Sequence, residues 1–453
     1  MIRQVVGAAG LALMVSVAPM ALPRSAVVGP TAAAAEELSA DRAVQAGQRR
    51  VSRYPASAGA HYRLGDAYVL KSRESGDPAY LELAERALRR ALELAPSHAG
   101  AIRHIAFVHS ARHEFAEAEH EARRALALDP ADGDAWGVLG DALLELGRYV
   151  EAGEAYGAMA ARGAGLPAFA RLSGLKSLMG DPAGAIADLE RAVEAGLASG
   201  QPRESVAWAR CQLGQDRFGQ GDLAGAERDL VTALDVLPGY HRAVAGLAQV
   251  RAAQGRDGEA VDLYHRALAT IPLPEYAAAL GDVYTRMGRA DAARRQYELV
   301  EYVARLEAAR PALYNRELVY FYADHGTQLD RALALAEREL AARGGIGAHD
   351  ALAWALLQLD RPAEARAAME RALALGTRDA RLFFHAGMIH RRLGEAAEAR
   401  EYLTRALETN PHFHPLQAET ARRALAELDA EAPHAALRAG GVPGAATEVS
   451  YAP

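Results

Sequence analysis

Apolar residues recur at helical spacing along most of this chain. Ala84, Leu88 and Ala91 form one such stripe, Ala226, Leu230 and Ala233 another, and Ala399, Leu403 and Ala406 a third. Positions three and four apart share one face of a helix, so each stripe predicts an amphipathic helix with one buried side. The stripes are themselves periodic. An alanine returns at Ala84, Ala118, Ala152, Ala185, Ala226, Ala260, Ala293, Ala332, Ala365 and Ala399, and the usual step is 33 or 34 residues. The two longer steps, Ala185 to Ala226 and Ala293 to Ala332, exceed it by about seven and about five residues, a size that fits loops or helix extensions.

Each period contains a second helix ahead of the stripe. It carries a small residue after a leucine, as in Leu64-Gly65, Leu139-Gly140, Leu213-Gly214, Leu247-Ala248 and Leu280-Gly281. Glycine inside a helix costs about 1 kcal/mol against alanine, so its return there predicts close backbone approach. Gly147, Gly180, Gly221, Gly255, Gly288 and Gly394 then mark turns between paired helices, and Pro182 and Pro362 open the helices that follow. Pro96, Pro130, Pro238, Pro272 and Pro411 close the helix that carries the alanine stripe in half the units, because proline lacks the amide hydrogen and clashes with the preceding turn.

Period, small-residue sites and terminal prolines together resemble the tetratricopeptide repeat family over roughly Ala58 to Pro411; the stretch Trp136-Gly137-Val138-Leu139-Gly140, followed by Ala152 and Tyr156, is closely similar to its motif. The resemblance implies an all-α, right-handed superhelical solenoid of about ten helical hairpins. The first unit departs from the pattern with extra residues between its helices, Lys71 to Ala79, and the eighth, around Leu318 to Ala342, lacks the glycine pattern. End units need polar covers, which assigns residues 36–56 to a lead-in helix, 57–411 to the array and 412–431 to a closing helix, with a disordered tail over 432–453.

Composition narrows the function. Hydrophobic residues make up 51% of the chain but aromatics only 6%, and alanine and leucine favour helix over strand. A net charge of −7 spread along the chain offers no basic stripe, so nucleic acid is not an expected partner. The lysines are Lys71 and Lys176 alone, and Cys211 is the single cysteine, so no intrachain disulfide can form. The N-terminus reads as a targeting segment: Arg3, an apolar run from Val5 to Leu22, then Ala32-Ala33-Ala34-Ala35 ahead of Glu36. Residues 1–35 are therefore expected to be a secretory signal peptide, or else an uncleaved anchor and the only membrane contact. The body is expected outside the cytoplasm, in the cell envelope or beyond the cell.

No phosphate loop, nucleophile elbow or zinc-type spacing appears, and the repeats leave no room for a catalytic domain, so neither enzyme activity nor a cofactor is expected. His109 and His113 are four apart, but the repeat register puts His113 in a turn, where it leaves the helical face. His412 and His414 flank Phe413 in what reads as a solvated linker. The resemblance makes the chain a scaffold that takes a peptide or helix of a partner protein on a concave wall built from the first helix of each unit. In this chain that wall comprises Arg103, Phe107, Asp141, Trp208, Cys211, Gln215, Gln249 and Asp282, then Trp354, Leu357, Phe384, Met388, Arg391 and Arg392. Aromatic and arginine side chains in the last group suit an apolar, acidic-flanked segment. The alternative is a carrier of a non-protein ligand, such as a glycan, in the same groove.

Overall fold

The computed structural model describes residues 40–307 and 316–439, with side chains through residue 430. All secondary structure among them is helical. A lead-in helix, α1 (Ala40–Arg53), precedes ten hairpins. Unit one pairs α2 (Ala58–Ser75) with α3 (Ala79–Leu94), unit two α4 (Ala99–Ala111) with α5 (Phe115–Leu128), and unit three α6 (Gly133–Glu145) with α7 (Tyr149–Arg162). Unit four pairs α8 (Leu166–Leu178) with α9 (Pro182–Ala198), unit five α10 (Arg203–Gly219) with α11 (Leu223–Val236), and unit six α12 (His241–Ala253) with α13 (Asp257–Thr270). Then come α14 (Pro274–Arg286) with α15 (Ala290–Glu307), and α16 (Arg316–Asp324) with α17 (Leu329–Ala342). Units nine and ten are α18 (Ile346–Gln358) with α19 (Pro362–Ala372) and α20 (Ala380–Leu393) with α21 (Ala396–Thr409). A last helix, α22 (Gln417–Ala439), closes the array.

The five closing prolines act through the residue ahead of them. Ala95, Asp129, Leu237, Ile271 and Asn410 all take extended backbone, with φ from −134° to −154°, because the proline ring disfavours helical geometry at the preceding residue. Each helix ends one residue earlier. At the opposite ends, the side chains of Ser57, Asp132, Asp181, Asp222 and Asp379 accept from the free amides of the helices they open. The recurrent alanines lie where the two helices of a unit meet: nine of the ten are 0% exposed and Ala293 is 3% exposed, so a larger side chain has no space there. Gly140 shows why the partner site is small, since a Cβ there would overlap the ring of Tyr156.

The irregular steps are mostly helix. Units four and five are long because α9 and α10 each run 17 residues, and α15 reaches 18. In unit one the expected interhelical insertion is corrected: Lys71 to Ser75 continue α2, and Gly76, at φ 74°, ends it. In unit eight the described part of the first helix, α16, has Tyr320, Phe321 and Tyr322 all buried. The final helix also runs on through Pro433 to Ala439, into the stretch expected to be disordered. The expected signal segment, the first residues of the lead-in and the tail beyond Ala439 lie outside the described residues.

Successive turns of the superhelix touch one another. The turn inside unit three meets the loop leaving unit eight: the Ile346 amide donates to the Tyr149 hydroxyl at 2.7 Å, 197 residues away, and Arg343 pairs with Glu145 at 3.4 Å. In unit four the Leu178 carbonyl accepts from the Thr377 hydroxyl, and in unit five the Phe218 carbonyl accepts from Asn410 Nδ2 at 2.7 Å. Unit one repeats the theme, with Gly76 against Ile271 and His241 of unit six, and Arg73 on Glu204. Helix C-termini leave carbonyls without intrahelical partners. Two of them here, those of Leu178 and Phe218, are satisfied by the unit five further along, and with the contacts of units one and three these bonds hold the solenoid tightly wound.

Candidate inner-wall site

Tight winding changes what the inner helices present. Arg103 is 6% exposed and pairs with Asp132 at 2.7 Å; Phe107 is core; Asp141 is 1% exposed against Arg171. Cys211 is buried, Trp208 half-buried between two core clusters, and Gln215 half-buried. Trp354 and Phe384 are 5% and 1% exposed, the indole donating to Asp324 Oδ1 at 2.7 Å and stacking on His385 at 4.1 Å. Leu357 and Met388 pack partly buried beside them. Arg391 and Arg392 are exposed on salt bridges to Glu427 and Asp360. The C-terminal aromatic and arginine group is therefore not one surface: its rings lie in the core between units and only its arginines reach solvent.

Gln249 and Asp282 are the two expected wall residues that share a cavity. It measures about 700 Å³ and lies between α10, α12, α14 and α16, closed on one side by residues 411–416 and the first turns of α22. Glu317, His325 and Arg381 also line it, and the sequence pattern did not mark them because they belong to the irregular unit or to a helix start. Burial pushes the Glu317 carboxyl up to about 7 against the opposing charges of Arg381 and Arg316. Its Oε1 is buried without a hydrogen-bond partner. Arg381 lies 4.5 Å over the ring of Tyr320.

The linker expected to be solvated enters this cavity. His414 Nε2 lies 3.3 Å from Asp282 Oδ2, and His325 Nε2 lies 3.0 Å from Asp282 Oδ1, which also accepts from the Tyr297 hydroxyl at 2.9 Å. Burial alone would raise the Asp282 carboxyl, but hydrogen bonds and charge from His325 and His414 outweigh it and hold it well below the ordinary carboxylate range. Burial would likewise lower His325, yet the Asp282 bond and charge carry it above the ordinary imidazole value. The Asp282 share of stability is present above about pH 4 and lost as pH falls; the His325 share is present below about pH 6.5 and lost as pH rises through its raised value. Hydrogen exchange over residues 411–417, corrected for intrinsic rates, is expected to be slower at pH 5.5 than at pH 8.5. Asp282→Asn should remove that difference, and equal protection of the wild type at both values would contradict the assignment.

Elsewhere the histidines follow local structure. His113 takes φ 62° in the unit-two turn, as the register predicts, His109 bonds Glu114 at 2.5 Å and His104 bonds Asp66 at 2.9 Å. No group of three or more His, Cys, Asp or Glu side chains among the described residues is placed to hold a metal ion.

Hairpins stacked in register, with closed ends and a lined inner wall, define a superhelical solenoid. Two family models described as tetratricopeptide repeat match it, one at residues 108–167 and 351–412 and the other at 217–283, so the chain carries tetratricopeptide repeats there. Its repeats make it a protein-interaction scaffold. Among solved structures, a human IFIT1 dimer with m7Gppp-AAAA is 15% identical, covering 74% of this chain and 76% of that one at a TM-score of 0.49. Yeast Tom70 is 13% identical over 89% of this chain and all of that one, TM-score 0.36. MamA is 21% identical over 38% of this chain and 97% of that one, TM-score 0.31. None of the curated proteins matches the chain.

Proposed function

We propose that the chain is an exported scaffold that seats a segment of a partner protein against the inner wall of units five to eight. The observation that carries this reading is the cavity of about 700 Å³, the place where inner-helix side chains are neither sealed into the core nor fully paired. Export rests on Arg3, the apolar run and the alanines before Glu36; no helix among the described residues is long and apolar enough to cross a membrane. A photo-reactive side chain at Gln249 is expected to give a discrete protein adduct in the native envelope fraction, whereas one at exposed Arg266 should give none. Adducts from Arg266 alone would move the binding surface to the outside of the solenoid.

The same volume supports a second reading, a carrier of a non-protein ligand such as a glycan, since small-molecule sites span about 300 to 1,000 Å³. Native mass spectrometry separates the two: a sub-kilodalton mass released on mild activation would favour the carrier.

A further inference from the structure

Residues 411–417 lie on the inner wall as a strap, and they hold it by side chains alone. Phe413 packs on Phe384 with ring centroids 5.6 Å apart, His414 meets Asp282, and Gln417 Nε2 donates to Asp324 Oδ1 at 2.6 Å. Pro411 and Pro415 have no amide hydrogen to give. The remaining backbone bonds stay local: the Phe413 amide donates to the Asn410 carbonyl, and the His414 ring accepts the Leu416 and Gln417 amides at 3.2 and 3.3 Å. No backbone hydrogen bond joins the strap to the wall among the described residues. A run of turns attached this way can leave without breaking a hydrogen-bonded ladder.

What the strap satisfies on the wall describes what else the wall can take. Asp282 is 4% exposed and Asp324 is half-buried, and both accept from donors that the strap supplies. Beyond the strap the cavity continues to Glu317, whose unpartnered Oε1 calls for one more donor. Arg381 is already placed over Tyr320 beside it. The wall therefore offers one aromatic seat followed by a line of acceptors.

On the reading that this wall is the partner site, we propose that residues 411–417 are its built-in ligand, displaced by a partner segment that presents an aromatic side chain followed by histidine or a basic residue. The ring takes the Phe413 seat on Phe384, and the donors take Asp282, Asp324 and then Glu317. Displacement frees the strap while α22 stays docked through Ala421, Ala424 and Leu428, which lie in the core cluster of the last units. The solenoid thus keeps its closing helix when it is loaded.

A fluorescein-labelled peptide with the sequence of residues 410–420 tests this on the full chain by anisotropy. Phe413→Ala/His414→Ala, which releases the strap, is expected to bind the peptide at least tenfold more tightly than wild type. Adding Asp282→Asn to that variant should cost at least fivefold, and a peptide with its phenylalanine changed to alanine and its second histidine to glutamate should not bind. The wild-type chain supplies a readout that does not depend on the variant folding: saturating peptide should raise hydrogen exchange over residues 412–420, whose first helical amides bond strap carbonyls, and leave residues 421–428 protected. Equal affinity for wild type and variant, no binding to either, or exchange rising across all of α22 would each overturn the strap as a displaceable ligand. Adducts at Gln249 would survive that failure, so the inner-wall reading stands or falls separately.

Discussion

Replacing Arg171 with methionine is expected to lower stability by about 3–5 kcal/mol, because it leaves a carboxylate buried without its cation. The side chains of Arg171 and Asp141 are 1% and 2% exposed. Their contact is two-pronged, Nε to Oδ1 at 2.9 Å and Nη2 to Oδ2 at 2.8 Å, and the Tyr156 hydroxyl adds a third bond to the same carboxylate at 3.0 Å. Such geometry offsets desolvation only while both partners are present. Asp141→Leu combined with Arg171→Met should therefore recover at least half of the single-variant loss, since an apolar pair of similar volume has no charge to strand. Urea denaturation, with hydrogen exchange over α6 to α8 to localise the effect, measures both. A single variant within 1 kcal/mol of wild type would mean that the pair carries no net charge interaction.

The contrast between this pair and its reading as a groove residue shows where the sequence was legible. Asp141 sits at the position of an inner helix that faces an open groove in a loosely wound array, and nothing local separates it from Asp282 at the corresponding place in unit seven. Alanine period, turn glycines and pre-proline stops are all properties of residues fewer than about 40 apart, and they located the units and the helix ends that the structure shows. How tightly the solenoid winds depends on contacts such as Thr377 with Leu178, 199 residues apart, which leave no period in the chain. Packing between neighbouring units buries Trp354 and Phe384, and His414 reaches inward to Asp282 of unit seven. Aromatic side chains on an inner helix read the same whether they anchor a partner or fill the space between units, and Phe413 looked like a loop residue because its seat on Phe384 is made by tertiary packing alone.

Winding should also be severable at a single residue. Gly147 and Gly288 occupy equivalent turns with nearly the same backbone, φ 77° and 71°, so valine at either position meets the same left-handed strain, roughly 1–3 kcal/mol. Their surroundings differ. A Cβ on Gly147 would stand 2.7 Å from the carbonyl carbon of Gly344 in unit eight, whereas one on Gly288 would find nothing within 4 Å. Gly288→Val is expected to lose only the strain energy and keep the wild-type small-angle scattering profile. Gly147→Val should lose more than that and show a larger radius of gyration, because the backbones of units three and eight can no longer meet. Identical scattering from the two variants would mean that the touching turns do not hold the shape. The distinction bears on how the array unfolds. Repeats that contact only their neighbours open from an end, one unit at a time. Units three, four and five here are tied to units eight, nine and ten, so these pairs should exchange hydrogens together in the wild type, and Gly147→Val should uncouple units three and eight while the other two pairs stay joined.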